Sequence, residues 1–85
     1  MKAVAILGST GSVGVTTLDV VARFGNRFRV VALAAGRNLD LFVPQIERFR
    51  PELVSVANAE LASELRRRLD DRGAALHFDG SIING

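Results

Sequence analysis

An apolar run, Ala3-Val4-Ala5-Ile6-Leu7, ends in the glycine-rich turn Gly8-Ser9-Thr10-Gly11-Ser12-Val13-Gly14, and a helical pattern follows at once. That order of strand, turn and helix restricts the chain to few folds, because such a turn suits the phosphate-binding crossing of a parallel sheet. The first glycine lets the chain leave the strand sharply, the second lets backbone approach a diphosphate, and the third lets the helix pack close to the sheet. The helix start then offers unpaired N–H groups and the positive end of its dipole. Thr10 and Ser12 add hydroxyls beside those amides, with Ser12 also a candidate helix N-cap. An ATPase loop would carry a Lys-Ser/Thr pair after its last glycine, whereas Gly14 is followed by Val15-Thr16.

Apolar and amphipathic segments alternate beyond this point, which predicts strands joined by helical crossovers. The first helix is expected over Ser12 to Phe24, with Val13, Thr17, Val20, Val21 and Phe24 inward and Gly25-Asn26 as its stop. Phe28 to Ala34 reads as a second strand, followed by the turn Ala35-Gly36-Arg37-Asn38. Leu39, Phe42, Val43, Ile46 and Phe49 give a second helix a wide apolar face, while Pro44 predicts that it starts near Leu41 or is kinked. Glu52 to Val56 is the third strand. Asn58 is the expected N-cap of a third helix over Ala59 to Asp71, with Leu61, Leu65 and Leu69 inward. Ala74 to Phe78 is expected as a fourth strand, and the residues from Asp79 onward carry turn formers without a period. The fold class is therefore α/β: a Rossmann-type parallel sheet, half of a doubly wound fold, with strand order 3-2-1-4 and the third helix on the face opposite the first two. Incomplete cover of one sheet face and of one edge predicts self-association.

The turn after the second strand addresses which dinucleotide fits. An acidic residue there would accept hydrogen bonds from both ribose hydroxyls of NAD, but this chain has Gly36-Arg37-Asn38. Arg37 presents a planar cationic fork suited to a 2′-phosphate, and Asn38 adds a donor, so NADPH is favoured over NADH. The cofactor-binding candidates are Gly8, Thr10, Gly11, Ser12, Val13, Gly36, Arg37 and Asn38.

Composition removes other classes. Five Phe with no Trp or Tyr, and a net charge of +2, give neither a stacking surface nor a cationic surplus for nucleic acid. The absence of cysteine excludes disulfides, thiolate metal sites and a cysteine nucleophile, and fits the cytoplasm. Neither a secretion signal nor a membrane span is expected. Arg66-Arg67-Arg68 with Glu60 and Glu64 read as a solvated helix face. The sole histidine, His77, lacks metal-ligand neighbours in the sequence, and Asp19 lacks a catalytic partner, so no catalytic or metal residues are assigned.

The segments Ile6-Leu7-Gly8-Ser9-Thr10-Gly11-Ser12-Val13-Gly14, Thr17-Leu18-Asp19-Val20-Val21 and Phe28 through Asn38 together resemble the N-terminus of the 1-deoxy-D-xylulose 5-phosphate reductoisomerase family. The resemblance implies an NADPH-dependent, homodimeric enzyme of the non-mevalonate isoprenoid pathway. It would rearrange and reduce a ketose phosphate with a Mg or Mn ion. It places the diphosphate at Thr10, Gly11, Ser12 and Val13 and the 2′-phosphate at Gly36, Arg37 and Asn38. The family's acidic metal ligands, substrate-phosphate site and lid have no counterpart in these residues, so catalysis by this chain alone is not expected. Residues 1–79 are the expected cofactor-binding unit, and 80–85 a tail marking a truncation, a fusion boundary or an engineered fragment. On the residues alone, two other readings remain: a self-associating, non-catalytic half-domain, and a fragment of an aspartate-semialdehyde-type dehydrogenase, against which the missing cysteine counts.

Overall fold

The computed structural model describes residues 2–71 and 80–84. In chain order the elements are β1 (Lys2–Leu7), α1 (Ser12–Arg23), β2 (Phe28–Ala34), α2 (Leu39–Phe49), β3 (Leu53–Val56), α3 (Ala59–Asp71) and β4 (Ser81–Asn84). All strand pairings are parallel, and the strands lie in the order β1-β2-β3-β4. The expected Rossmann-type parallel sheet and the adjacency of its first three strands are thus present.

The expected position of the fourth strand, beside the first, is replaced by β4 on the far side of β3. The segment 74–78, expected as that strand, lies outside the described residues, as does His77. β4 forms instead from residues read as turn formers, with Ile82 against Val54 and Ile83 against Ser55. Ser81 N–H donates to the Glu52 carbonyl at 2.9 Å, which starts the pairing.

This order also moves α3. Successive crossovers of one hand that travel in one direction across a sheet keep their helices on one face. Accordingly α3 packs on α2, β3 and β4. Its Leu65 and Leu69 share one buried cluster with Phe42 and Ile46 of α2, Leu18 and Val21 of α1, and Ile6, Val30, Leu33, Val54 and Val56 of the sheet. Among the described residues no helix covers the opposite face, where Leu7 is 83% and Ile83 47% exposed. Fully buried Phe42, Ile46, Leu33 and Leu65 each contribute about 1.5–3 kcal/mol through burial.

The sheet register shifts between Val4 and Ala5, leaving Val31 as the extra residue of β2. Such a bulge moves every later side chain to the other face. Core positions in β2 therefore fall three apart, at Val30 and Leu33.

The inward stripe of α1 is Gly14, Leu18 and Val21, one phase away from the expected one, and Val13 stands 78% exposed. A methyl group at Gly14 would lie 2.1 Å from the Gly8 carbonyl oxygen, so α1 meets the sheet through a glycine that hydrophobic periodicity does not count. The N-cap is Gly11, not Ser12.

α2 begins at Leu39, not near Leu41, with Pro44 inside it. Proline there removes the N–H that would serve the Asp40 carbonyl. Asp40 is exposed, so water can serve that group, and burial of Leu39, Phe42, Val43 and Ile46 holds the helix. α2 ends at Arg50, whose φ of 46° is left-handed, just before Pro51.

Candidate functional site

The sheet brings the ends of β1 and β2 side by side, with Leu7 opposite Ala34. Two strand-to-helix turns therefore leave the sheet from neighbouring positions at its C-terminal edge, where open α/β sheets bind ligands.

In the first turn Gly8 adopts φ +67°, a left-handed conformation that suits glycine. Gly11 N–H donates back to the Gly8 carbonyl at 3.0 Å, and Ser9 N–H donates to the Ala34 carbonyl at 3.0 Å. Helical bonding starts at Val15 N–H on the Gly11 carbonyl, at 2.9 Å. Ser12, Val13 and Gly14 are therefore the amides that a helix leaves without an internal acceptor. No side chain caps this helix start, and no acidic residue stands in its first turn. Gly11, Ser12 and Val13 are exposed, and Thr10 is half-buried beside them. The arrangement suits an anion bound by backbone, which accounts for the outward position of Val13.

The second turn is closed. Its backbone is tied to β3 by Ala35 N–H on Ser55 O at 2.9 Å and by Ala57 N–H on Gly36 O at 3.1 Å. The Asn38 side chain accepts from Leu41 N–H at 3.2 Å, and Asp40 complements the dipole of α2. With Oδ1 engaged in the cap, the Asn38 amide nitrogen remains as a donor. The Arg37 side chain is exposed and makes no hydrogen bond or ion pair among the described residues, while its backbone carbonyl accepts from Leu39 N–H at 3.0 Å.

The eight predicted residues thus fall on two neighbouring turns. The sequence reading missed Gln45, whose Nε2 donates to the Ser9 carbonyl at 2.8 Å from α2. Its position beside the apolar stripe of a helix carries no signal for that contact.

Two grooves lie away from these turns. One of about 460 Å³ is lined by Val21, Phe28, Arg29, Arg48 and Phe49, where β2 begins. Another of about 400 Å³ lies between α2 and α3, where Arg68 bridges Asp40 and Glu64 at 2.9 Å each. Hydrogen bonds from Arg67 and Arg68 hold the Glu64 carboxyl below its ordinary value, and Glu64 in turn raises both arginines. These charges serve one another, as expected for a solvated helix face. Among the described residues no three His, Cys, Asp or Glu side chains group as metal ligands, and no helix is long and apolar enough to cross a membrane.

Comparison with known proteins converges on one family. The family model described as 1-deoxy-D-xylulose 5-phosphate reductoisomerase matches residues 4–81. Curated relatives of that name include one from Geotalea uraniireducens, 58% identical over 76 residues, or 89% of this chain and 20% of the relative. Another, from Synechococcus sp. strain CC9605, is 55% identical over 85 residues, or 100% of this chain and 20% of the relative. A solved DOX-P reductoisomerase in complex with NADPH, fosmidomycin and magnesium superimposes with a TM-score of 0.87 at 28% identity, covering 100% of this chain and 20% of that one. The chain spans about one-fifth of the length of these proteins. It belongs to the 1-deoxy-D-xylulose 5-phosphate reductoisomerase family.

Proposed function

We propose that this chain forms the NADPH-binding part of an enzyme that converts 1-deoxy-D-xylulose 5-phosphate to 2-C-methyl-D-erythritol 4-phosphate in the non-mevalonate isoprenoid pathway. The observation that carries the proposal is the uncapped start of α1 in a turn next to that of Arg37, whose side chain pairs with none of the described residues, in a chain of this family. NADPH, when bound, supplies the hydride of the reduction. The amides of Ser12 and Val13, with Gly8, Thr10 and Gly11 shaping the turn, hold the diphosphate. Gly36, Arg37 and the free amide nitrogen of Asn38 hold the 2′-phosphate. A guanidinium can meet that phosphate with two parallel N–H bonds, which discriminates NADPH from NADH.

The described residues do not fit the divalent metal of the whole enzyme, since no ligand cluster exists among them. The whole enzyme acts as a homo-oligomer in the cytoplasm, with the sugar phosphate and metal held outside these residues.

Calorimetric titration of the chain with NADPH and NADH tests the reading. NADPH binds more tightly, and Arg37→Ala narrows the difference by about tenfold or more, the usual scale of a lost charge-assisted hydrogen-bond pair. A folded chain that binds neither cofactor supports instead the non-catalytic, self-associating half-domain.

A further inference from the structure

We propose that Gln45 is a positioning residue that locks the glycine loop to α2, and thereby sets the loop's placement relative to the Gly36-Arg37-Asn38 turn. The proposal rests on the NADPH reading above. Ser9 is fully buried at the centre of the loop. Its N–H is held by the Ala34 carbonyl at the end of β2, and its carbonyl accepts from Gln45 Nε2 at 2.8 Å. Among the described residues no other side chain hydrogen-bonds residues 8–11. The helix that supplies this contact is the one that the Asn38 cap starts, directly after Arg37. One element therefore carries the expected 2′-phosphate turn at its start and grips the diphosphate loop further along.

The surroundings make the contact hard to replace. Ser9 Oγ and Gln45 Oε1 are both buried without a protein partner among the described residues, while the rest of the half-buried Gln45 side chain lines an open groove with Leu18 and Pro44. Removing the Gln45 donor leaves the Ser9 carbonyl buried and unpaired, a more costly state than losing an exposed hydrogen bond. Gln45→Met keeps the side-chain length and approximate volume while deleting that donor. A Gln45 that merely packs against α1 would tolerate it.

The test is amide hydrogen exchange of the 85-residue chain by NMR, paired with calorimetry using NADPH and adenosine 2′-monophosphate. In Gln45→Met, exchange at Ser9 and Gly11 accelerates about tenfold while Val54 and Leu65 keep their protection. NADPH affinity falls about tenfold, and adenosine 2′-monophosphate, which engages only the Arg37 turn, binds as before. Equal acceleration at all four amides, or none at Ser9 and Gly11, overturns the proposal. A measurement on the unaltered chain guards against a variant that does not fold: the Gln45 carboxamide protons exchange slowly, and free exchange there also overturns it. If the unaltered chain fails to bind NADPH while Ser9 and Gly11 loosen selectively in the variant, the cofactor reading falls and the Gln45 contact stands.

Discussion

The starts of the three helices are built in two different ways. α2 and α3 are closed: Asn38 accepts from Leu41 N–H at 3.2 Å, Asn58 accepts from Leu61 N–H at 2.8 Å, and Asp40 and Glu60 stand in the respective first turns. α1 has neither device, although Gly11 already has the extended backbone that a capping serine or aspartate would adopt. A side-chain cap there would occupy the amides that an external anion needs. The difference between the helices thus separates a fold-supporting terminus from a ligand-binding one, through the presence or absence of a single internal acceptor.

The largest expected effect comes from the glycine that seats α1. Gly14→Ala places a methyl group 2.1 Å from the Gly8 carbonyl, a backbone atom that cannot swing aside. The expected loss is ~3 kcal/mol of stability, read as a lower denaturant midpoint. Gly36→Ala in the neighbouring turn meets nothing within 4 Å and leaves the midpoint nearly unchanged. Equal effects would show that the close seating of α1 is not the constraint.

Next is Gly11→Asp, which closes α1 in the way its neighbours are closed. Stability rises by a few tenths of a kcal/mol, since glycine is only slightly inferior to aspartate as an N-cap. NADPH affinity falls about a hundredfold, because a carboxylate then competes for the amides and repels the diphosphate. Opposite signs in the melting and binding measurements are the expected outcome. Unchanged cofactor binding would show that the α1 amides are not the anion site. The matching change in a closed helix, Asn58→Ala, costs about 1 kcal/mol of stability and leaves NADPH affinity alone.

The boundaries of β1, β2, β3, α1 and α3 were legible, because apolar runs, the Asn58 cap and the glycine turn each have local causes. What the sequence concealed depends on tertiary geometry. The order 3-2-1-4, with the third helix opposite the first two, implies an inner β1 with helices on both sheet faces, yet among the described residues the three helices share one face and Ala3, Ala5 and Leu7 are exposed. The side on which the fourth strand joins is decided by the path after α3, which leaves no local pattern. The phase of α1 was misread because its closest contact with the sheet is made by Gly14, which carries no hydrophobic signal. At the site, the two turns were readable from residue type and spacing, whereas Gln45 was not, since its partner is a backbone carbonyl 36 positions away.

The smallest effect concerns charge, and it sharpens the contrast between the paired Arg67 and Arg68 of α3 and Arg37, whose side chain pairs with none of the described residues. Hydrogen bonds from Arg67 and then Arg68 lower the Glu64 pKa, so their contribution to stability is present above the ordinary glutamate value of 4.5 and is lost as pH falls through the lower folded value. Because these groups lie at the surface, the change in stability is slight, and salt reduces it further. An NMR titration of the Glu64 carboxyl is the direct measurement. Its midpoint lies below that of an ordinary glutamate and moves back up in both Arg67→Ala and Arg68→Ala. Arg37→Ala leaves the midpoint in place, as expected for a guanidinium that serves no carboxylate among the described residues. A midpoint at the ordinary value in the unaltered chain would mean that the α3 arginines are as free as Arg37, and the charge contrast between the two regions would disappear.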